Sequence, residues 1–234
     1  MKKFLFTFVS FAALALPCPI NVHAMDIEAR PPFIILSGAV TGAELRLLSD
    51  AIDSNPAINT VVLKNSGGGD ARTGFLVGEY IRSKGLNTAV SGYCRSSCSR
   101  MFLGGNARSI SNDQPLESTY VAFHSNYASD GQRVYAAAAT LKAWVTQYSG
   151  GKANPQLVDQ WVTLDNRRGF AYFYHPQAAI EAGPNRVLLC KGDEDPKNRF
   201  QLCAKPDLGD AMANGILTTL EIVTMNQLKA ELKP

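Results

Sequence analysis

A run of three glycines between a buried strand and a helix constrains this sequence more than any other feature. Asn59 to Leu63 (Asn-Thr-Val-Val-Leu) is β-branched and apolar, so it reads as a buried strand. It runs into Ser66-Gly67-Gly68-Gly69-Asp70. A helix from about Ala71 to Lys84 follows, with Phe75, Val77, Tyr80 and Ile81 as apolar positions and Gly85 closing it. Glycines at such a junction let the backbone approach a ligand and aim N–H groups at it, in the positive field of a helix start. That suits a phosphate or an oxyanion. No lysine follows the glycines, which argues against a nucleotide phosphate loop. Seen alone, the run is equally a tight turn without chemistry.

The alternation continues along the chain. Phe33 to Leu36 is a strand, and Thr41 with Glu44 has capping-box spacing for a helix whose apolar face is Leu45, Leu48 and Ile52. Asn87 to Ser91 reads as a strand, Gly92 to Ser96 as a turn, Ser97 to Gly104 as a buried helix and Thr119 to His124 as a strand. Further helices are expected at Gly131 to Tyr148, Pro155 to Leu164, Pro176 to Ala182 and Asp207 to Asn214. Phe170 to Tyr174 is extended, and Val187–Cys190 with Phe200–Cys203 reads as a hairpin. This order predicts an α/β fold with a mostly parallel sheet: one domain over residues 25–186, with the hairpin and helix of 187–234 appended.

The first 24 residues have a different design. Lys2 and Lys3 precede an apolar stretch, Phe4 to Leu16, and Val22-His23-Ala24 offers the small residues that a signal peptidase reads. The apolar run is nearer a signal-peptide core than the ~20 residues of a membrane span. The alternatives are an N-terminal membrane anchor and lipid attachment at Cys18, which Pro17 and Pro19 flank. Cleavage after Ala24 places the mature chain in the periplasm or outside the cell. Lys+Arg 23 against Asp+Glu 20 gives +3, and loss of Lys2 and Lys3 leaves a nearly neutral chain. That balance argues against nucleic acid or an anionic membrane surface as partner. The mature chain keeps Cys94, Cys98, Cys190 and Cys203, an even count that favours disulfides outside the cytoplasm. Cys190 with Cys203 is the preferred bridge; Cys94 and Cys98 are either a second bridge or two buried thiols. His124 and His175 lie at no zinc-ligand spacing from a cysteine pair, so neither metal nor cofactor is expected.

Two further features join the glycines. Gly92-Tyr93-Cys94-Arg95-Ser96-Ser97-Cys98 is a second strand-to-helix turn, where a serine is exposed at a helix start. It departs from the Gly-x-Ser-x-Gly elbow, and a capping serine would look the same. His124 ends a strand, and in a parallel sheet the strand ends collect on one rim, where an imidazole can reach a serine oxygen. A lone histidine is more often structural.

Together these residues resemble the ClpP/crotonase family, and in particular the Clp protease proteolytic subunit and its exported relatives. The resemblance rests on Asn65-Ser66-Gly67-Gly68-Gly69, Gly92-x-x-x-Ser96 and Val121-Ala122-Phe123-His124, with a weaker match at Pro176 to Gly183. It implies a serine peptidase with Ser96 as nucleophile, His124 as general base and the N–H groups of Gly69 and Ser97 as oxyanion donors. It also implies a peptide or protein substrate and self-association. Two departures stand out. Gly67 replaces the family's proline, and the third catalytic position falls near Ala171, with Asp165 or Asn166 as nearby substitutes. A weak or inactive chain that binds peptide or a partner in the same cleft is therefore the second reading. Crotonase-type acyl-CoA chemistry is a third, disfavoured outside the cytoplasm.

Overall fold

The computed structural model describes residues 24–224. The export segment read in residues 1–24, with Cys18, lies outside these residues except for Ala24. The chain begins with strands β1 (Asp26–Arg30) and β2 (Phe33–Val40), helix α1 (Glu44–Asp53), β3 (Thr60–Gly69), α2 (Ala71–Ser83), β4 (Asn87–Arg95) and α3 (Ser97–Leu103). It continues with β5 (Arg108–Ser111), β6 (Tyr120–Phe123), α4 (Ala137–Tyr148), α5 (Pro155–Val162), β7 (Phe170–Tyr174), β8 (Val187–Cys190), α6 (Arg199–Leu202) and β9 (Ile222–Val223). No helix among the described residues is long and apolar enough to cross a membrane.

The strands form one sheet in the order β1-β2-β3-β4-β6-β7-β8, with β5 beside β4 and β9 beside β5. Pairings β2/β3, β3/β4, β4/β5, β4/β6 and β5/β9 are parallel; β1/β2, β6/β7 and β7/β8 are antiparallel. The apolar runs follow from burial of both faces. Ile34, Leu36, Val61, Leu63 and Val90 enter the main core, while Ile35, Val62 and Ala89 pack on the opposite face. All seven residues of α3 are buried, which sets the start of this helix firmly under the sheet edge.

On the edge away from β3, β4 serves two partners: Thr88 to Val90 pair with β5, and Tyr93 to Arg95 pair with β6. The change falls at Gly92 (φ 70°), where a Cβ would run into the Asn65 side-chain amide. Asn65 itself has φ 47°, where the β3/β4 register shifts between Lys64 and Ser66. The glycine run Ser66–Gly69 and all but the last residue of the turn expected at Gly92–Ser96 are thus irregularities inside longer strands. Ser66 pairs with Cys94, so both glycine-marked segments reach the sheet edge together.

Several element boundaries differ from expectation. Thr41 does not cap α1. Gly42 has φ 129°, so the helix starts after Ala43, and Glu44 instead accepts the N–H groups of Thr41 and Gly42 at 2.9 and 2.8 Å. α4 starts at Ala137 rather than Gly131, because residues 126–134 fold back on themselves through Ala128 N–H to Gln132 O and Val134 N–H to Asn126 O, both 2.8 Å. Pro176 to Ala182 is a series of turns, not a helix; Arg186 donates to the carbonyls of Ala178 and Gly183 that a helix would have used. Phe200–Leu202 is helical rather than a hairpin strand, with Cys203 extended after it, since the Asp195 carboxylate caps the turn at Lys197 (3.0 Å) and leads into α6. A single bridge, Leu189 to Ala204, remains of the hairpin. The helix expected at Asp207 to Asn214 is one turn that begins at Asp210 and stops at Gly215, φ 61°. β8 and β9 are built into the sheet, and Ile216 and Leu217 into the main core.

Candidate active site

Ser96 sits between the end of β4 and the start of α3 with φ 58° and ψ −125°. This conformation is costly for an L residue, of order 1–3 kcal/mol, and persists only where neighbours over-determine it. Here its N–H donates to Ala122 O at 3.1 Å, and its carbonyl accepts from Ser99 N–H at 3.0 Å and from the Ser99 hydroxyl at 2.6 Å. A disulfide between Cys94 and Cys98 ties the two ends of the same turn, with their Cα atoms 5.3 Å apart. Gly68 (φ 86°) supplies the space: a Cβ there would lie 2.6 Å from Ser96 Cβ and 2.9 Å from Ser97 N.

The structure brings His124 to this turn. Its Nε2 is 2.7 Å from Ser96 Oγ, and its Nδ1 is 3.2 Å from the carbonyl oxygen of Arg167. A carbonyl only accepts, so Nδ1 carries the proton and Nε2 accepts from the Ser96 hydroxyl. The ring stacks on Phe170 at 4.2 Å between centroids. Burial pushes the imidazole pKa down to about 3, assisted by the positive charges of Arg100 and Arg95 and partly opposed by the Arg167 carbonyl. His124 is therefore a neutral base across the physiological range.

Asp165 does not reach the imidazole. Its carboxylate is largely exposed and accepts from Arg133 Nε at 2.9 Å. Asn166 braces the turn instead. Its side-chain Oδ1 accepts from Arg168 N–H (3.0 Å), while the Tyr127 hydroxyl donates to the backbone carbonyls of Leu164 and Asn166. This braced turn presents the Arg167 carbonyl to His124. Ala171 pairs with Phe123, one residue before the histidine, where its methyl offers no polar group.

Of the two expected oxyanion donors, Ser97 is the first residue of α3, so its N–H has no acceptor within the helix. Gly69 follows Gly68, the glycine whose Cα faces Ser96, and its own Cα packs on the Val40 backbone. Arg100, whose charge acts on His124, is a neighbour that the sequence reading passed over. It is the one charged residue of α3, buried, 4.6 Å over the Phe75 ring and hydrogen-bonded to the Ala71 carbonyl and Asn126. That lone charge among Met101, Phe102 and Leu103 was the signal available.

Ser96 and His124 open onto a cleft of about 480 Å³ whose lining includes Glu194, Arg199 and the Cys190–Cys203 disulfide. Both cysteine pairs are bridged, which settles the choice left open for Cys94 and Cys98. Glu194 lies close to the Cys190 and Cys203 sulfurs, but sulfurs bonded to each other are not a thiolate ligand set.

No protein-family model and no curated protein matches the sequence. Solved structures are similar at low identity. A ClpP1 variant from Listeria monocytogenes is 12% identical with a TM-score of 0.49, over 84% of this chain and 94% of its own. A variant of the 1510-N membrane-bound stomatin-specific protease is 11% identical with a TM-score of 0.41, over 55% of this chain and 67% of its own. A protein described as an enoyl-CoA hydratase from Streptomyces coelicolor A3(2) is 13% identical with a TM-score of 0.47, over 96% of this chain and 75% of its own. The alternating strand and helix units around a mixed sheet match a ClpP/crotonase-like α/β fold.

Proposed function

We propose that this chain is an exported serine hydrolase of peptide bonds, with Ser96 as nucleophile and His124 as general base. The observation that carries the reading is the 2.7 Å hydrogen bond from a serine on a left-handed strand-to-helix turn to a neutral imidazole, open to a cleft. Nε2 takes the hydroxyl proton as Oγ attacks the carbonyl, then returns it to the leaving amine; water repeats the cycle on the acyl-enzyme. The N–H groups of Ser97 and Gly69 would receive the developing oxyanion, each donor worth roughly 3 kcal/mol. Export to the periplasm or beyond is supported by two disulfides among the described residues. A fluorophosphonate probe tests the site: wild type is expected to be labelled, and Ser96→Ala and His124→Gln are not. Labelling that survives Ser96→Ala refutes it.

A second reading, a weakly catalytic or inactive peptide-binding protein, has its own support. The group behind the imidazole is the neutral Arg167 carbonyl, which holds the correct tautomer yet brings no full negative charge. Loss of the carboxylate from a Ser-His-Asp triad costs about 10⁴ in turnover, there largely through the wrong tautomer. Here the tautomer is right, but a pKa near 3 makes protonating the buried ring roughly 5 kcal/mol harder than in water. Slow but Ser96-dependent labelling favours the hydrolase; none at all favours the binder.

A further inference from the structure

The arginines that line the cleft differ from the other partly buried arginines in what their guanidinium groups do. Arg82 donates to the carbonyls of Leu103, Gly104 and Gly105, and Arg108 to those of Gly105, Gly215 and Ile216. Arg186 donates to Ala178 and Gly183. Arg95, next to Ser96, has no hydrogen bond or ion pair to any described residue, and its Nε is buried without a partner. Its guanidinium lies 4.6 Å over the Tyr93 ring and 6.0 Å from that of Phe170, the ring on which His124 stacks. Arg199 lines the same cleft; it rests on Tyr120, Tyr172 and Phe200 at 5.1 to 5.3 Å, where Tyr120 stacks on the Tyr93 ring under Arg95, and makes no ion pair with a described residue.

Four arginines, Arg95, Arg167, Arg168 and Arg199, line this cleft against two carboxylates, Asp193 and Glu194. Asp193 is exposed, and Glu194 has one oxygen on Lys191 N–H and the other on Gly192 N–H, both 2.7 Å. Neither neutralises Arg95. A guanidinium offers five donors in a planar fork, and burying one unsatisfied is costly unless a ligand completes it. Aromatic rings beneath it fix its plane while leaving the fork free.

Building on the hydrolase reading, we propose that Arg95 and Arg199 form a carboxylate-binding subsite beside Ser96, so that the preferred peptide presents an acidic side chain or a free C-terminus there. A planar carboxylate matches the fork bidentately. The chain carrying Ser96→Ala allows binding to be measured without turnover. Four fluorescent decapeptides are compared by anisotropy: an alanine-rich sequence with a central Glu or Gln, each ending in a free acid or an amide.

An acidic peptide is expected to bind about ten- to a hundred-fold tighter than the Gln amide, the range for hydrogen bonds to a charged group. The Glu amide and the Gln acid separate side-chain from chain-end recognition. Arg95→Met is expected to abolish the preference and Arg95→Lys to retain part of it, with thermal unfolding confirming that each variant is folded; Arg199→Met is the second probe if Arg95→Met is not. Equal affinity for all four peptides, no binding of any, or a preference that survives the arginine-to-methionine changes overturns the subsite. Phosphonate labelling of wild type is read separately: a labelled protein without acid preference loses only the subsite, whereas an unlabelled one loses the hydrolase reading.

Discussion

Acidification should destabilise this protein through one histidine, and the amount can be worked from its surroundings. His124 is buried between Phe170, Tyr127 and the Ser96 turn, with its pKa pushed down to about 3 from an ordinary 6.5. Between those values the unfolded chain binds a proton that the folded chain refuses. Stability is therefore fully present above pH 6.5 and falls as the pH drops toward 3, by at most about 1.4 kcal/mol per unit. Urea unfolding of wild type and His124→Gln at pH 7.5 and 4.5 isolates the effect. The wild-type protein should lose about 3 kcal/mol more than the variant over that interval, from roughly two pH units of unequal proton binding. His175 and the carboxylates titrate in both chains and cancel in the difference. Parallel losses in the two proteins would show that the imidazole is solvated or charge-paired, and the neutral-base assignment would fail with it.

Two other outcomes follow from the same geometry. Asp165→Asn breaks only the ion pair with Arg133, in which the carboxylate faces solvent, so it should cost less than about 1 kcal/mol and leave the rate of phosphonate labelling unchanged; a large drop in labelling would place the carboxylate behind His124 after all. Gly68→Ala forces a Cβ to 2.5 Å from the Arg95 carbonyl at φ 86°. Urea unfolding should register a loss of about 2–5 kcal/mol, from backbone strain plus overpacking, together with slower labelling; a variant as stable and reactive as wild type would refute the close approach.

The strands and the central helices were legible because each rests on local rules, and the convergence of Ser96 with His124 because a parallel sheet collects its strand ends on one rim. β-branched runs, glycines at strand ends and an apolar α3 all point one way in the sequence. What escaped depended on particular partners that composition does not name. The Pro176 to Ala182 segment has helical composition, yet Arg186 captures the Ala178 carbonyl within it and that of Gly183 just beyond. Asp165 has the right chemistry and the right approximate position, but Arg133 holds it while a backbone oxygen two residues on faces the imidazole. A carbonyl has no side-chain identity, so no residue type could have announced it. The same holds for Gly68: the spacing of the motif does not say which glycine of three turns its bare face to the serine.

One disulfide, Cys94–Cys98, encloses the Ser96 turn, and the other, Cys190–Cys203, lines the cleft with Glu194 and Arg199. The nucleophile turn and part of the cleft lining thus depend on the same bond chemistry. A thiol reductant that reached both bonds would slacken the turn and the lining together, without touching Ser96 or His124. Activity that vanishes on reduction and returns on reoxidation would report on the scaffold around the chemistry, and would not by itself implicate a reactive cysteine.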